Sequence, residues 1–259
     1  MVKRKEVFLI AFFLLILLVA NYNLLDSVVS NLLDEHKSEV HVDRIVDGDT
    51  IKADNLTIRL LGINTPERGE QYHDEAEKFL SDLIQNKTVE LEFGKDKIDK
   101  YGRTLAYIFL NNENINQKQI ENGFANYYFP SGKDVHYNDF ANAWNGCLQS
   151  NKNLCLKSDD KCSHCIELKS FKEQTVILKN RCDFSCDLNS WDLKDEGRKH
   201  FLFPKYILNS NEDVNIIVGN RSNYGNNLFW NQKDHVWTKT GDTLFLRDKE
   251  GKLVLWSSY

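Results

Sequence analysis

The sequence has 259 residues, 41 % hydrophobic and 27 % charged, which suits one large or two ordinary globular domains and excludes a disordered chain. Its net charge is −5, and segment 39–148 carries 12 basic and 19 acidic side chains. This composition excludes the broad basic footprint of proteins that bind nucleic acid strongly through charge alone.

The N-terminus has the pattern of a targeting segment. Basic residues at positions 3–5 precede Val7–Ala20, an unbroken apolar run that is shorter than the roughly 20 residues a spanning helix needs. No clear cleavage site follows, so an uncleaved signal-anchor and a cleaved signal peptide both stay open. We predict a targeting segment at 1–25 and a helical stalk at 26–39, with the rest of the chain outside the cytoplasmic membrane.

The next segment has the pattern of short strands interrupted by helices. Strands are predicted at 41–46, 50–53, 56–61, 88–93 and 104–110, and helices at 75–84, 116–122 and 137–148. Five strands with inserted and appended helices are typical of a small OB-type β-barrel. The sequence therefore predicts a barrel domain over 40–148.

Three motifs that could support phosphate chemistry fall on this predicted barrel. They are Asp47-Gly48-Asp49-Thr50, Arg59-Leu60-Leu61-Gly62-Ile63-Asn64-Thr65-Pro66-Glu67 and Asp99-Lys100-Tyr101-Gly102-Arg103. Forked guanidinium groups and a divalent cation stabilise the charge of a phosphate in transfer, and a carboxylate can accept a proton from attacking water. The combination indicates phosphodiester cleavage.

Together, in this order, the motifs resemble the staphylococcal (micrococcal) nuclease or thermonuclease family over roughly residues 40–148. The resemblance implies an OB-fold endonuclease that hydrolyses DNA and RNA with one calcium ion per nuclease domain. It also implies roles for individual side chains. Asp49 and the Thr65 carbonyl would bind the metal, Arg59 and Arg103 the scissile phosphate, Glu67 would activate water, and Tyr101 would contact substrate.

One position departs from the family pattern. The second metal-binding aspartate of the family falls at Asn64, which offers a carbonyl oxygen without charge. Because ligand charge tunes calcium affinity, we predict weaker metal binding with activity retained. The alternative is a degenerate nuclease barrel kept as a non-catalytic protein that binds nucleic acid or the cell surface.

Other side chains near these motifs have plain structural interpretations. A surface ion pair between Arg59 and Glu67 is the alternative to a phosphate site. Tyr128, in the Tyr127–Phe129 run, would either stack on bases as a substrate-binding residue or pack in the core. His73 is predicted to lie on the surface rather than to bind metal.

All six cysteines lie in one stretch of the sequence. They are Cys147, Cys155, Cys162, Cys165, Cys182 and Cys186. An even number in an exported chain favours disulfides, whose pairing the sequence does not choose. A zinc site formed by Cys162-x-x-Cys165 and Cys182-x-x-x-Cys186 is the less favoured alternative.

After a cysteine-containing connector at 149–162, the pattern of residues 163–259 is nearly all strand, as in a β-sandwich. Strands are predicted at 175–180, 191–195, 200–203, 214–218, 242–247 and 252–256. This part resembles the lamin-tail domain, an immunoglobulin-like β-sandwich. The marks are Leu178–Asn180, Leu188–Asp195 with Trp191, Phe201–Pro204, Val214–Gly219 and Gly241–Asp248. The resemblance implies binding or anchoring to envelope polymer, protein or nucleic acid. Asp195-Glu196 with Arg198-Lys199 is predicted to be a solvated turn.

The sequence thus predicts a mainly β chain, an OB-fold barrel with helices followed by an immunoglobulin-like β-sandwich. We expect an exported, membrane-anchored or secreted, calcium-dependent nuclease whose substrates are DNA and RNA.

Overall fold

A computed structural model describes Asn21, residues 37–239 and residues 241–259. The predicted targeting segment and most of the predicted stalk lie outside these residues. Residues 37–39 were expected to end the stalk but belong to the first strand instead. Within the described ranges, no helix has the length and apolar character needed to cross a membrane.

Short strands dominate the first half of the described chain, as predicted. They are β1 (Lys37–Asp47), β2 (Thr50–Ala53), β3 (Leu56–Leu60), β4 (Ile63–Asn64), β5 (Thr88–Ile98), β6 (Thr104–Leu110), β7 (Glu113–Asn114) and β8 (Asn126–Tyr127). The main sheet has the order β3-β2-β1-β5-β6-β7, and a parallel pairing of β3 with β6 closes it into a five-stranded barrel. The short strands β4 and β8 pair separately.

In the described part of the chain, three helices cover the barrel: α1 (His73–Ile84), α2 (Ile115–Glu121) and α3 (Tyr137–Ser150). On α1 the apolar residues Ala76, Leu80 and Ile84 recur at helical spacing, and all three are fully buried. Trp144 on α3 is also fully buried. The amphipathic periodicity of the sequence therefore corresponds to the faces that pack on the barrel.

The second half of the chain is built from further sheets. After a 3₁₀ helix (Asn153–Cys155) come β9 (Ile166–Lys172), β10 (Thr175–Asn180), β11 (Cys186–Asp187), β12 (Asp192–Lys194), β13 (His200–Leu202), β14 (Ile207–Leu208), β15 (Asp213–Val218), β16 (Asn227–Trp230), β17 (Thr243–Arg247) and β18 (Leu253–Ser258). Two four-stranded sheets have the orders β16-β15-β10-β9 and β13-β12-β17-β18. Trp191 is 1 % exposed in the core that these sheets enclose.

The six cysteines form three disulfides: Cys147–Cys155, Cys162–Cys186 and Cys165–Cys182. The first joins the end of α3 to the 3₁₀ helix, and the other two fix the segment before β9 to the turn and strand that follow β10. Because every cysteine is paired, no thiolate is left for the zinc site considered as an alternative.

The two halves share one apolar contact region. Phe245 of β17 and Leu253 of β18 belong to the same buried cluster as the barrel core. The Trp144 ring lies 5.4 Å from the Phe245 ring and 6.3 Å from the Trp256 ring, both edge to face. The sheet β13-β12-β17-β18 therefore packs directly on α3.

Candidate functional site

Strand pairing brings the three sequence motifs together. Thr50, which ends the first motif, lies opposite Arg59 in the antiparallel β2–β3 pair. In the parallel β3–β6 pair, Arg59 lies opposite Leu105, just after Arg103. Closure of the barrel thus places two arginines that are distant in sequence beside the same strand end.

The Asp47–Thr50 turn is held between two helices. A Cβ atom on Gly48 would lie only 2.8 Å from the Cβ of Ala76, so α1 approaches the turn too closely for any other residue. The Gly48 carbonyl accepts a 2.7 Å hydrogen bond from the side chain of Gln119 on α2. These contacts fix the backbone from which Asp49 projects.

Arg59 is buried, and several contacts hold its guanidinium group in place. Its Nη2 lies 2.9 Å from Asp49 Oδ2, and the guanidinium donates to the carbonyls of Leu60 and Ile63 at 2.7 and 3.0 Å. Burial lowers the pKa of Arg59 and the charge of Asp49 opposes that shift. The predicted alternative of a surface pair between Arg59 and Glu67 is wrong, because Arg59 is 7 % exposed and pairs with Asp49.

The candidate metal ligands surround this arginine. Asp49 accepts hydrogen bonds from the Thr50 hydroxyl at 3.0 Å and the Thr65 amide at 3.3 Å, and Asn64 Oδ1 accepts from Arg59 Nη2 at 3.3 Å. Asp49, Asn64 and Thr65 are all at most 2 % exposed. The described residues contain no cluster of three His, Cys, Asp or Glu side chains able to hold a metal.

This donor set nevertheless has the chemistry of a hard-cation site. Its donors are all oxygens, which suit calcium, and the buried Thr65 hydroxyl has no hydrogen-bond partner within the described residues. Asp49 alone among the candidate ligands supplies a negative charge.

Glu67 lies at the rim of the site. Its backbone amide donates a 2.8 Å hydrogen bond to Glu70 Oε2, which orients the loop after Pro66. The Glu67 side chain is 35 % exposed, so water reaches it, and its Oε1 lies 2.5 Å from Nε of Arg198.

Arg103 is placed by its own motif. Asp99 Oδ2 accepts a 2.7 Å hydrogen bond from Arg103 Nε, and Asp99 Oδ1 accepts from the backbone amides of Tyr101 and Arg103. Burial raises the pKa of Asp99, but these hydrogen bonds outweigh it and lower the pKa. Tyr101 is 72 % exposed beside the Arg103 guanidinium.

A cleft of about 1850 Å³ connects these groups. Arg59, Asn64, Tyr101, Arg103 and Tyr128 line it. Asp49 and Glu67 adjoin it through their contacts with the lining residues Arg59 and Arg198, and Thr65 lies behind Asp49, to which its amide donates. Tyr127 is buried, so its ring packs in the core. Tyr128 is only partly buried and its ring lies at the cleft.

Two sequence expectations are wrong. His73 is 8 % exposed rather than a surface residue, and it contacts Asp47 and Asp74 at 3.4 and 2.8 Å. Asp195 and Glu196 do not form a solvated turn, because both are buried and their loop lines the cleft. Charged composition suggested solvent, and no local signal in the sequence pointed to a contact with the distant barrel.

Burial has a marked electrostatic effect on this loop. It raises the pKa of Asp195 to about 6 and that of Glu196 to about 8, and the charge of Asp242 adds to both shifts. The Tyr128 hydroxyl faces the same carboxylates, and burial and their charges raise its pKa.

The chain is similar to nucleases over its first half. Residues 57–155 match the family model described as Staphylococcal nuclease homologue. A thermonuclease of Staphylococcus hyicus is 34 % identical over 116 residues, 40 % of this chain and 69 % of that protein. A thermonuclease of Staphylococcus intermedius is 38 % identical over 104 residues, 36 % of this chain and 62 % of that protein.

A third relative shares a smaller part of its length. The SPbeta prophage-derived endonuclease YokF of Bacillus subtilis is 35 % identical over 112 residues, 39 % of this chain and 38 % of that protein. All three similarities involve less than half of this chain.

Proposed function

The chain belongs to the staphylococcal nuclease homologue family and by that membership is a phosphodiester-hydrolysing nuclease; we propose that it is a calcium-dependent endonuclease of DNA and RNA. The observation that carries the proposal is the convergence of Arg59 and Arg103 on one cleft, with Asp49 and Glu67 adjoining it.

The site residues divide the chemistry between them. Arg59 and Arg103 would bind the scissile phosphate through their forked guanidinium groups. The carbonyls of Leu60 and Ile63 hold the Arg59 guanidinium in one orientation, so little of its freedom is lost when phosphate binds. Glu67, reachable by water, would accept the proton of the attacking water molecule.

Calcium would be held by Asp49, the Asn64 side-chain oxygen and the Thr65 carbonyl, and when bound it would offset the negative charge that develops on the phosphate. The neutral Asn64 predicts a modest affinity for the ion. Tyr101 and Tyr128, which both line the cleft, would contact the sugar and bases of the strand.

We further propose that the protein works outside the cytoplasm. Three disulfides support this location, since such bonds persist in oxidising compartments. The N-terminal segment 1–25 would direct export, either as a signal-anchor or as a cleaved signal peptide, and a stalk would connect it to β1, which begins at Lys37.

The nuclease domain would span 40–148 and the connector 149–162. Residues 163–259 would form a second domain, a lamin-tail-like β-sandwich, a proposal supported by two four-stranded sheets around Trp191. This domain would bind envelope polymer, protein or nucleic acid.

Cleavage of single-stranded DNA by fragment 37–259 tests the activity, first with calcium and then with chelator. We expect cleavage that stops with chelator and falls at least a hundredfold in Glu67→Gln. Glu75→Gln, on the exposed face of α1, is the matched control and should cut normally. Binding without cleavage under saturating calcium would instead support the non-catalytic alternative.

A further inference from the structure

A loop of the second domain is fixed onto the nuclease site. We call Asp195–Lys199, which joins β12 to β13, the site loop. The side-chain amide of Asn64 donates a 2.8 Å hydrogen bond to the Gly197 carbonyl, and that of Asn126 donates a 3.1 Å bond to the Glu196 carbonyl. Asn64 and Asn126 lie opposite each other in the β4–β8 pair. Two paired asparagines thus hold two consecutive carbonyls of the loop.

Further bonds fix the loop from within its own domain. The amide of Lys199 donates to Asp195 Oδ1 at 2.8 Å, and the Asp195 amide donates to the Lys199 carbonyl at 3.1 Å. The Glu196 amide donates to the buried carboxylate of Asp242 at 3.5 Å. The loop backbone therefore has a defined position over the cleft.

The strands on either side of the loop are also bound to the barrel. Lys194 Nζ lies 3.2 Å from Glu70 Oε2, and His200 Nε2 lies 2.7 Å from Glu70 Oε1. Glu70 is three residues beyond Glu67, so these ion pairs fix the hairpin beside the candidate base.

The fixed loop presents Arg198 to the cleft. Arg198 lines the same cleft as Arg59 and Arg103, and its side chain is 55 % exposed. The charges of Arg198 and Arg103 both act on Arg59, so each of these two guanidinium groups lies within electrostatic range of Arg59. A phosphate group that enters the cleft would be attracted by all three guanidinium groups.

We propose that Arg198, which the second domain supplies, is a third phosphate-binding arginine of the nuclease site. Its guanidinium group binds a backbone phosphate of the nucleic-acid strand. The inference rests on the proposed function for its substrate class. The partner of Arg198 in this structure is Glu67, through one nitrogen of a half-exposed side chain. An exposed ion pair of this kind is weak, whereas a phosphate can accept two parallel hydrogen bonds from a guanidinium group.

The proposal also accounts for the departure at Asn64. An aspartate there would place a carboxylate oxygen against the Gly197 carbonyl, where the amide now donates a hydrogen bond. The asparagine thus exchanges one charge of the metal site for the attachment of the loop that carries Arg198.

The kinetic test compares the wild type with Arg198→Ala and Arg198→Lys on single-stranded DNA at saturating calcium. We expect KM to rise about tenfold in Arg198→Ala, with a smaller change in kcat, because a hydrogen-bonded charged contact with bound substrate is lost. Arg198→Lys should be intermediate, since lysine keeps the charge without the fork. Arg221→Ala, an exposed arginine of the same domain outside the cleft, should behave as wild type.

A binding test separates this inference from the activity itself. Binding of a fluorescent single-stranded oligonucleotide is measured in chelator at several salt concentrations. Loss of one phosphate contact should reduce the slope of log affinity against log salt by about 0.7 in Arg198→Ala, but leave it unchanged in Arg198→Lys and Arg221→Ala. If the wild type does not cleave DNA, the proposed activity is wrong. If the salt slope nevertheless falls in Arg198→Ala, the proposed role of Arg198 in phosphate binding is retained.

Three results would overturn the proposal. An unchanged KM together with an unchanged salt slope would exclude any contact with phosphate. Faster cleavage by Arg198→Ala would mean that Arg198 blocks Glu67 instead. A lower activity with the wild-type salt slope would show that Arg198 has only a structural role. Thermal unfolding of each variant identifies a folding defect. If Arg198→Ala has such a defect, the KM and the salt slope of Arg198→Lys decide whether Arg198 binds phosphate.

Discussion

Asn64 belongs to two structures at once. Its oxygen accepts from Arg59 at 3.3 Å, on the side of the candidate metal ligands, and its nitrogen donates to Gly197 of the second domain. A carboxylate at this position could accept the bond from Arg59 but could not donate to the Gly197 carbonyl. The identity of this residue therefore sets a balance between cation affinity and attachment of the site loop.

Exchange of this side chain should separate the two roles. In Asn64→Asp we expect half-maximal activity at a several-fold lower calcium concentration, because the site gains a charged ligand, and a lower melting temperature, because the bond to Gly197 is lost. Calcium titration of cleavage and thermal denaturation measure the two effects.

Asn126→Asp is the matched control for this prediction. It loses the bond to Glu196 but adds nothing to the candidate metal ligands, so its melting temperature should fall while its calcium requirement stays that of the wild type. An equal calcium requirement in both variants would contradict a role for Asn64 in metal binding.

At the scale of elements, the sequence was informative where a segment packs on one side only. The strand Thr104–Leu110 was predicted with its observed bounds, and α1 was predicted from its apolar face. Strand β9 was missed because its IELKSFK sequence carries charges between its apolar residues, and β16 because it is short and pairs in parallel with β15. Neither strand has a local signal strong enough to reveal its partner.

The candidate site could be predicted where its residues are contiguous in sequence and could not where tertiary contacts create it. Motifs that are contiguous in sequence could be located from the residues alone, and the structure brings Arg59 and Arg103 to one cleft. The site loop could not be found, because its contacts with Asn64 and Asn126 join residues far apart along the chain. Charged residues in a turn are usually solvated, and only the tertiary contact buries them here.

The β12–β13 hairpin should attach to the barrel in a pH-dependent manner. Burial lowers the pKa of His200, but its contacts with Asp192 and Glu70 outweigh burial and raise the pKa from 6.5 to about 9. Burial would raise the pKa of Glu70, but contacts with His200 and Lys194 lower it from 4.5 to about 2. The contribution of His200 to the stability of the fold is therefore complete below pH 6.5 and is lost as pH rises through about 9. The contribution of Glu70 to stability is complete above pH 4.5 and is lost as pH falls through about 2.

We expect the melting temperature of the wild type to fall between pH 6.5 and 9, and His200→Gln to make that fall shallower. Burial raises the pKa of Glu196 from 4.5 to about 8, so the ionisation of Glu196 also destabilises the folded state as pH rises through this range. Glu196→Gln should therefore flatten the pH profile of the melting temperature further. Melting curves at half-unit pH intervals measure both effects. Parallel pH profiles for the wild type and the double variant would show that neither group is linked to folding.

At the scale of the whole molecule, the two halves of the described chain share part of a core. Trp144 of the barrel helix α3 packs against Phe245 and Trp256 of the second domain, and Phe245 is 2 % exposed. Loss of this contact would affect the packing of both halves, so we expect the two halves to unfold together.

Phe245→Ala should lower the free energy of unfolding by about 3–5 kcal/mol, since it removes a buried aromatic ring and leaves a cavity beside Trp144. Calorimetry should give one transition in the wild type and a single, lower transition in the variant. Leu202→Ala, at a 64 % exposed position of the same domain, is the control and should change little. Two separate transitions in the wild type would argue against a shared core.

The connector between the domains has a further consequence. The Cys147–Cys155 disulfide crosslinks the beginning of the connector to the end of α3. Strand β18 binds the residues after it: the Leu253 amide donates to the Leu156 carbonyl at 2.7 Å, and the Ser158 amide donates to the Leu253 carbonyl at 2.8 Å. A protease cuts where the chain can be drawn out into an extended, unbonded segment, and this stretch offers none while the fold is intact. We therefore expect digestion of the native protein to spare this stretch, so that the site loop stays covalently attached to the barrel whose cleft it lines.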